Sequence, residues 1–235
     1  MQLFYSASIS EDSDQYTFPR EESKHIIRVL RKQIGDTVDI TNGKGFIFKG
    51  EIIDHNPNKC TIQLHSATFK EPIPYRLHIA IAPTKLNDRF EWFLEKATEI
   101  GITEITPIVC DHSERKQIKE ERFKKIIQSA MKQSLQTHLP VLQPITSFKD
   151  FMTSQPKATL SCIAHCEEGI KHPLTKELTA GKDVLILIGP EGDFSPEEIK
   201  QAVTLGYKEI TLGNSRLRTE TAGIVACHSI SFLQQ

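Results

Sequence analysis

The chain is 235 residues long, enough for one large or two small domains with a sizeable buried core. Hydrophobic residues make up 38% and charged residues 25%, and no apolar run approaches the ~18 residues that a membrane-spanning helix needs, which excludes a helical membrane protein. Twenty-nine Lys and Arg against thirty Asp and Glu leave a net charge of -1, so bulk charge cannot hold nucleic acid and any such contact rests on a local basic patch. The opening MQLFYSASISEDSDQYTF has neither a basic leader nor an apolar stretch with a small-residue cleavage site, and the expected location is the cytoplasm. The cysteines are scattered. Only Cys162 and Cys166 stand close, with no second pair to complete a zinc site, so reduced, mostly buried thiols and no metal centre are expected.

The first seventy residues read as β-rich, with candidate strands at Gln2–Tyr5, Gln15–Phe18, Thr37–Thr41, Gly45–Ile53 and Thr61–His65. Asn42-Gly43 is a tight-turn signal between two of them, and a small barrel is the natural closure. Between the strands, Lys24–Lys32 has helical period. Ile26, Ile27, Val29 and Leu30 share one face, and Lys24, Arg28, Arg31 and Lys32 share the other, a basic face that suits solvent or phosphate equally.

The two prolines of KEPIP near Lys70–Pro74 break helix and central strand alike and mark a boundary between a first domain at 1–72 and a second at 73–235. Beyond it, strands and helices alternate. Leu77–Ala82 is a short continuous apolar run of the kind buried on both faces of a sheet. A helix follows, with Asp88 and Glu91 spaced as a capping pair, a stripe of Phe90, Phe93, Leu94 and Ala97, and Gly101 at its end. Then come strand Glu104–Val109, a helix from Glu120 to Thr137, and strands Thr159–His165 and Asp183–Ile188. Helix Pro196–Leu205, strand Glu209–Leu212 and a closing helix from Thr221 to Leu233 complete the chain. This alternation predicts an α/β domain with a mostly parallel sheet.

In such domains ligands bind at the carboxyl ends of strands, which directs attention to the loops. VLILI runs into Gly189-Pro190-Glu191-Gly192-Asp193-Phe194, after which Ser195, Pro196 and Glu198 have the pattern of a capped helix start. The loop lacks the Lys-Ser/Thr of a P-loop, and its glycines serve a structural turn as well as a ligand loop. After Glu209–Leu212 comes Gly213-Asn214-Ser215-Arg216-Leu217-Arg218-Thr219-Glu220-Thr221. Thr219, Glu220 and Thr221 suit a helix start, whereas Arg216 and Arg218 are disfavoured there and call for an anionic partner. A third region runs from Arg115 to Lys132 with seven basic and two acidic residues, on a helix whose apolar face is Phe123, Ile126, Ile127, Ala130 and Met131. His165, beside Cys166, Glu167 and Glu168, has no second histidine at metal spacing and reads as loop-edge decoration.

Taken together, HIIRVLR (His25–Arg31), KLNDRFEWFLEKATEIGITEITP (Lys85–Pro107), AMKQS (Ala130–Ser134), LIGPEGDF (Leu187–Phe194) and LGNSRLRTETA (Leu212–Ala222) resemble the RsmE-type ribosomal RNA methyltransferases of the SPOUT superfamily. The resemblance spans nearly the whole chain in the expected order. It implies a knotted (trefoil) α/β methyltransferase domain behind a PUA-like β-barrel, a homodimer, and S-adenosylmethionine as methyl donor. The implied reaction is methylation of the N3 nitrogen of a uridine in small-subunit (16S) ribosomal RNA. Carried over by residue, Ile188, Gly189, Pro190, Glu191 and Gly192 with Leu212, Gly213, Asn214, Arg216 and Leu217 would form the donor loops. Arg218 and Glu220 would face the transfer site, joined by Arg115 from the other subunit, and Lys24, His25, Arg28 and Arg31 would grip RNA. Asp193 stands where the family has glycine, and Lys132 and Leu135-Gln136 depart from the family's pattern near Ser134. Cys110-Asp111-His112 is a slightly longer connection than the family's. Rival readings are a noncatalytic RNA-binding assembly factor and a SPOUT enzyme acting on another RNA position.

Overall fold

The computed structural model describes residues 2–154 and 158–234. It divides into two compact units, Met1–Pro72 with Met131–Leu139, and Ile73–Ala130 with Pro140–Gln235.

The first unit contains β1 (Leu3–Tyr5), β2 (Gln15–Thr17), α1 (Arg20–Lys24), β3 (Thr37–Thr41), β4 (Phe46–Asp54) and β5 (Thr61–Phe69). They form one sheet in the order β1-β3-β4-β5-β2, a half-barrel whose edges are β1 and β2. Only β1 and β3 pair in parallel. Phe4, Phe18, Ile26, Val38, Ile40, Phe48, Ile52 and Ile62 fill its core. The buried hydroxyl of Ser23 is satisfied on both sides, donating to Phe18 O and accepting from Cys60 N, each at 3.0 Å. In the same unit Lys132 pairs with Glu22 at 3.1 Å, and Gly45 N donates to Thr137 O at 2.9 Å.

One expectation fails here. The continuous helix over Lys24–Lys32 is instead α1 followed by a π-turn over His25–Val29. Leu30 N donates to His25 O, five residues back, and this wider turn swings Val29 out of the apolar face to 66% exposure while Ile26 stays buried. Arg31 then leaves the helix with a positive φ of 55°.

The second unit contains β6 (Leu77–Ile81), α2 (Asn87–Ile100), β7 (Glu104–Val109), α3 (Glu120–Gln133), β8 (Val141–Leu142), β9 (Thr146–Ser147) and α4 (Phe148–Ser154). These are followed by β10 (Leu160–Ala164), β11 (His172–Pro173), α5 (Leu174–Glu177), β12 (Val184–Ile188), α6 (Pro196–Thr204), β13 (Lys208–Thr211) and α7 (Thr219–Leu233). The final residues of α3, from Met131, group with the first unit. The sheet runs β11-β13-β10-β12-β6-β7-β8, with β9 also on β7, and every pairing is parallel. All residues of β6 and β12 are buried, as continuous apolar runs require when helices cover both faces. From β13 the chain returns past β10 and β12, and α7 packs on α2, β6 and β12.

Gly101 ends α2 as expected, at φ 111° with its N–H on Ala97 O and Thr98 O. The Asp88–Glu91 capping pair does not form. Leu86 precedes the helix without a side-chain cap, and Glu91 instead takes a two-pronged ion pair from Arg122 at 2.5 and 2.7 Å. The helix expected to reach Thr137 stops at Gln133, and the closing helix begins two residues early, at Thr219. Cys60, Cys110, Cys162 and Cys227 are buried free thiols and Cys166 is exposed. No described helix is long and apolar enough to cross a membrane.

Candidate methyl-transfer site

β13, β10 and β12 are neighbours in the sheet, and their carboxyl ends open into one cavity of about 670 Å³. That volume lies in the range of small-molecule pockets. Its floor is Ala164, Ile188 and Ile210, one residue from each strand end, and its walls are the two loops singled out in the sequence. Ile188, Gly189, Pro190, Glu191, Leu212, Gly213, Asn214, Arg216, Leu217 and Arg218 all line it.

The loop after β12 is held from four directions. Ser195 caps α6 in a full capping box with Glu198, and Ser195 Oγ donates to Asp111 Oδ2 at 2.6 Å. Glu191 Oε1 accepts from Lys85 N at 3.0 Å, and Thr219 Oγ1 donates to Gly189 O at 3.1 Å, tying the start of α7 to the loop. Gly192 does not line the cavity. It turns to His112, whose Nδ1 lies 3.0 Å from Gly192 O and whose Cβ would sit 3.0 Å from any added methyl.

Asp193 explains its own departure from glycine. Its φ is +65°, a left-handed conformation that Asp tolerates better than most side chains. The carboxylate is put to use, with Oδ2 accepting from Cys166 N at 2.6 Å and Oδ1 from Phe194 N at 2.8 Å. It therefore joins the β12 loop to the β10 loop.

Sequence reasoning missed the β10 wall: His165, Cys166 and Lys171. The His165 side chain is 1% exposed, with Nε2 3.0 Å from Glu209 Oε1. Burial, and then the nearby Lys171 charge, lower its pKa, so the ring is neutral at pH 7. A polar residue at the end of an apolar strand was the available signal.

A second, more open cavity of about 700 Å³ is lined by Asp88, Arg89, Trp92, Arg216, Leu217, Arg218, Glu220 and Thr221. Arg216, Leu217 and Arg218 line both cavities and form a shared wall. Neither the Arg216 nor the Arg218 guanidinium has a hydrogen bond or ion pair among the described residues. Glu220 is buried, 3.9 Å from Arg89 Nε through Oε1, and its Oε2 has no partner among the described residues. Arg115 lines neither cavity. Its guanidinium donates to Thr84 O and Lys85 O, which cross-links its loop to the start of α2. Lys24, His25, Arg28 and Arg31 lie in the first unit, where Arg28 and Arg31 are exposed and His25 stands 3.0 Å from Gln2 Nε2. Among the described residues no cluster of His, Cys, Asp or Glu could hold a metal ion.

Residues 71–231 match a model described as an RNA methyltransferase domain, and residues 18–64 match an RNA methyltransferase PUA domain. The chain belongs to the RsmE-type RNA methyltransferase family. It is 31% identical to ribosomal RNA small subunit methyltransferase E of Buchnera aphidicola (subsp. Acyrthosiphon pisum), over 92% of this chain and 87% of that one. A probable rRNA-methyltransferase from Porphyromonas gingivalis, known from its crystal structure, is 43% identical with a TM-score of 0.91, covering 100% of this chain and 98% of that one. A putative methyltransferase from Legionella pneumophila, solved with bound SAM, is 26% identical with a TM-score of 0.87, covering 98% and 96%. The RsmE-type family therefore joins the two motif loops to an N-terminal PUA domain, the organisation found in this chain.

Proposed function

We propose that this chain methylates the N3 nitrogen of a uridine in small-subunit (16S) ribosomal RNA, with S-adenosylmethionine as donor. The observation that carries the reading is the pair of cavities divided by the Arg216–Arg218 segment, a place for a donor on one side and for an acceptor on the other.

The first cavity suits the donor. Its rim of Gly189 and Gly213 exposes backbone: a methyl on Gly213 would project into open space at φ +141°, and one on Gly189 would strike the buried Phe194 ring at 3.0 Å. Ile188, Pro190, Leu212 and Leu217 offer apolar surface to an adenosine, and Lys171, Arg216, Glu191 and Asp193 offer both signs of charge to an amino-acid head. Bound there, the sulfonium supplies an already activated methyl group, so the protein needs only to align it with a nucleophile and remove a proton.

Arg218, a cation on the acceptor side, stabilises negative charge developing on the uracil ring. Glu220, whose Oε2 has no partner among the described residues, accepts the N3 proton. The working unit in this reading is a homodimer, with Arg115 of a second copy completing the acceptor side. The exposed Arg28 and Arg31 with the half-buried Lys24 and His25, in the PUA-like domain of residues 1–72, hold RNA backbone. The second domain, 73–235, carries the chemistry, and in this reading it has the trefoil-knotted fold of the SPOUT enzymes. The setting is the cytoplasm, where ribosomal subunits are assembled.

The test is methyl transfer from labelled S-adenosylmethionine to small ribosomal subunits lacking their base methylations, followed by nucleoside analysis. 3-Methyluridine is the expected product. A different methylated nucleoside moves the reaction to another RNA position, and tight donor binding with no label in RNA makes the protein a noncatalytic assembly factor.

A further inference from the structure

The second cavity holds a side chain that the reaction above leaves without a role. Trp92 is the only tryptophan of the chain, and it lies on α2 facing this cavity at 44% exposure, between buried neighbours Phe90, Phe93 and Leu94. Solvent-facing positions of a helix ordinarily carry small or charged residues, as the α2 neighbours Asp88 and Arg89 in this wall do, and Arg216, Arg218 and Glu220 add charge from the segment that leads into and opens α7. A large flat apolar face set among three guanidinium groups is the combination used to hold an unstacked base, the ring on the aromatic face and the polar edge on the charges.

We propose that this cavity seats the target nucleobase and that Trp92 is the face on which its ring stacks. The inference rests on the methyltransferase reading and deepens it. The edge chemistry also selects the base. Arginines offer only donors; of the two carboxylates, Asp88 is exposed with Oδ1 accepting from Arg89 N, and the buried Glu220, with Oε2 unpartnered among the described residues, is the acceptor set among the arginines. Uracil carries the complement, two carbonyl oxygens around N3–H. Cytosine carries a bare N3 acceptor and an amino donor instead, which would leave the carboxylate facing a lone pair. The shared Arg216–Arg218 wall keeps the seated ring next to the donor cavity.

The lone tryptophan makes this directly measurable, because with excitation selective for indole the emission of this chain comes from Trp92 alone. Titration with protein-free, unmethylated 16S RNA transcript should quench it, and a transcript with the modified uridine changed to cytidine should bind with much less quenching. In parallel, Trp92→Ala should raise the KM for small subunits about tenfold, the loss of one base-aromatic stack, with donor Kd unchanged and with Trp92→Phe restoring most of it. Two results overturn the proposal: RNA binding seen by filter retention with emission unchanged, or a Trp92→Ala enzyme with wild-type KM. Emission that responds to dilution of the protein and not to RNA also overturns it, by placing Trp92 in a contact between copies. A wild-type protein that methylates no RNA brings down the function itself, whereas normal methylation with an indifferent Trp92 brings down only this seat.

Discussion

Gly223→Ala is the sharpest test of how the site is held. Gly223 lies in α7 where the helix crosses α2 and β6, and an added Cβ would sit 2.6 and 2.8 Å from two ring carbons of Phe93 and 2.9 Å from Ile81 Cδ1. Both side chains are fully buried, so neither can swing into solvent to make room. Alanine gains about 1 kcal/mol of helix propensity over glycine, and overpacking a rigid core costs about 1–3 kcal/mol. Simultaneous contacts on two elements put this case at the upper end, leaving a net loss of about 1–2 kcal/mol. For a chain of this size that lowers Tm by about 2–8 °C. The assay is thermal unfolding followed by Trp92 emission, since that residue sits on α2 and reports the unit containing Gly223. Phe93→Leu in the Gly223→Ala background should recover part of the loss, with coupling of at least about 0.5 kcal/mol. A Gly223→Ala protein as stable as wild type, or strictly additive effects in the pair, would refute the packing argument. Because Thr219 and Glu220 open the same helix, turnover should fall with stability.

Three further outcomes follow from the geometry. Asp193→Gly should be more stable than Asp193→Ala by about 1 kcal/mol in urea unfolding, because only glycine occupies φ +65° freely; both should weaken donor binding by releasing Cys166 N, and equal stabilities would deny the strain. Arg218→Ala should reduce turnover far more than donor affinity by calorimetry, and undiminished methylation would remove Arg218 from the chemistry. Burial pushes the His78 pKa from 6.5 down to about 4. The unfolded chain therefore takes up the proton first, and stability should be full above pH 6.5 and drain away as pH falls toward 4, by on the order of 3 kcal/mol. Substituting His78 with Gln should flatten that slope in Tm measured across pH 7 to 4.5, and an unchanged slope would assign it to other groups.

The elements legible in the sequence are those whose burial leaves a long signature. LHIAI and VLILI read as strands because a parallel strand covered on both faces is almost wholly apolar, His78 being the one polar residue of the two, and Ser195 with Glu198 read as a helix start because the capping box has a fixed spacing. β8, β9 and β11 are two residues each, too short for any period to show. The π-turn at His25–Val29 escaped for a different reason. Its apolar residues fit a 3.6-residue period, and only the five-residue hydrogen bond reveals that Val29 has left the face. Glu91 was spaced for capping but found Arg122, a partner 31 residues on that offers a charge instead of a backbone amide.

The site divides along the same line. Arg216 and Arg218 were conspicuous because positive charge at a helix start works against the helix dipole, and the described residues offer them no hydrogen-bond or ion-pair partner to excuse it. Arg115 looked equally free in the sequence, yet the carbonyls of Thr84 and Lys85 occupy it, because the loop after β6, some 30 residues earlier, lies beside it in space. His165 failed in the opposite direction. Its neighbours along the chain are ordinary loop residues, and it matters because β10 inserts between β12 and β13, an order that no local pattern encodes. The same insertion brings the ends of three strands together as the first cavity, and the return of α7 then sets Glu220 beside Arg89 and Trp92, more than 120 residues earlier in the chain. Each loop alone is compatible with a turn. The proposed methyl-transfer site joins them through one short segment, Arg216 to Arg218, which lines both cavities and so borders a donor in one and an acceptor in the other.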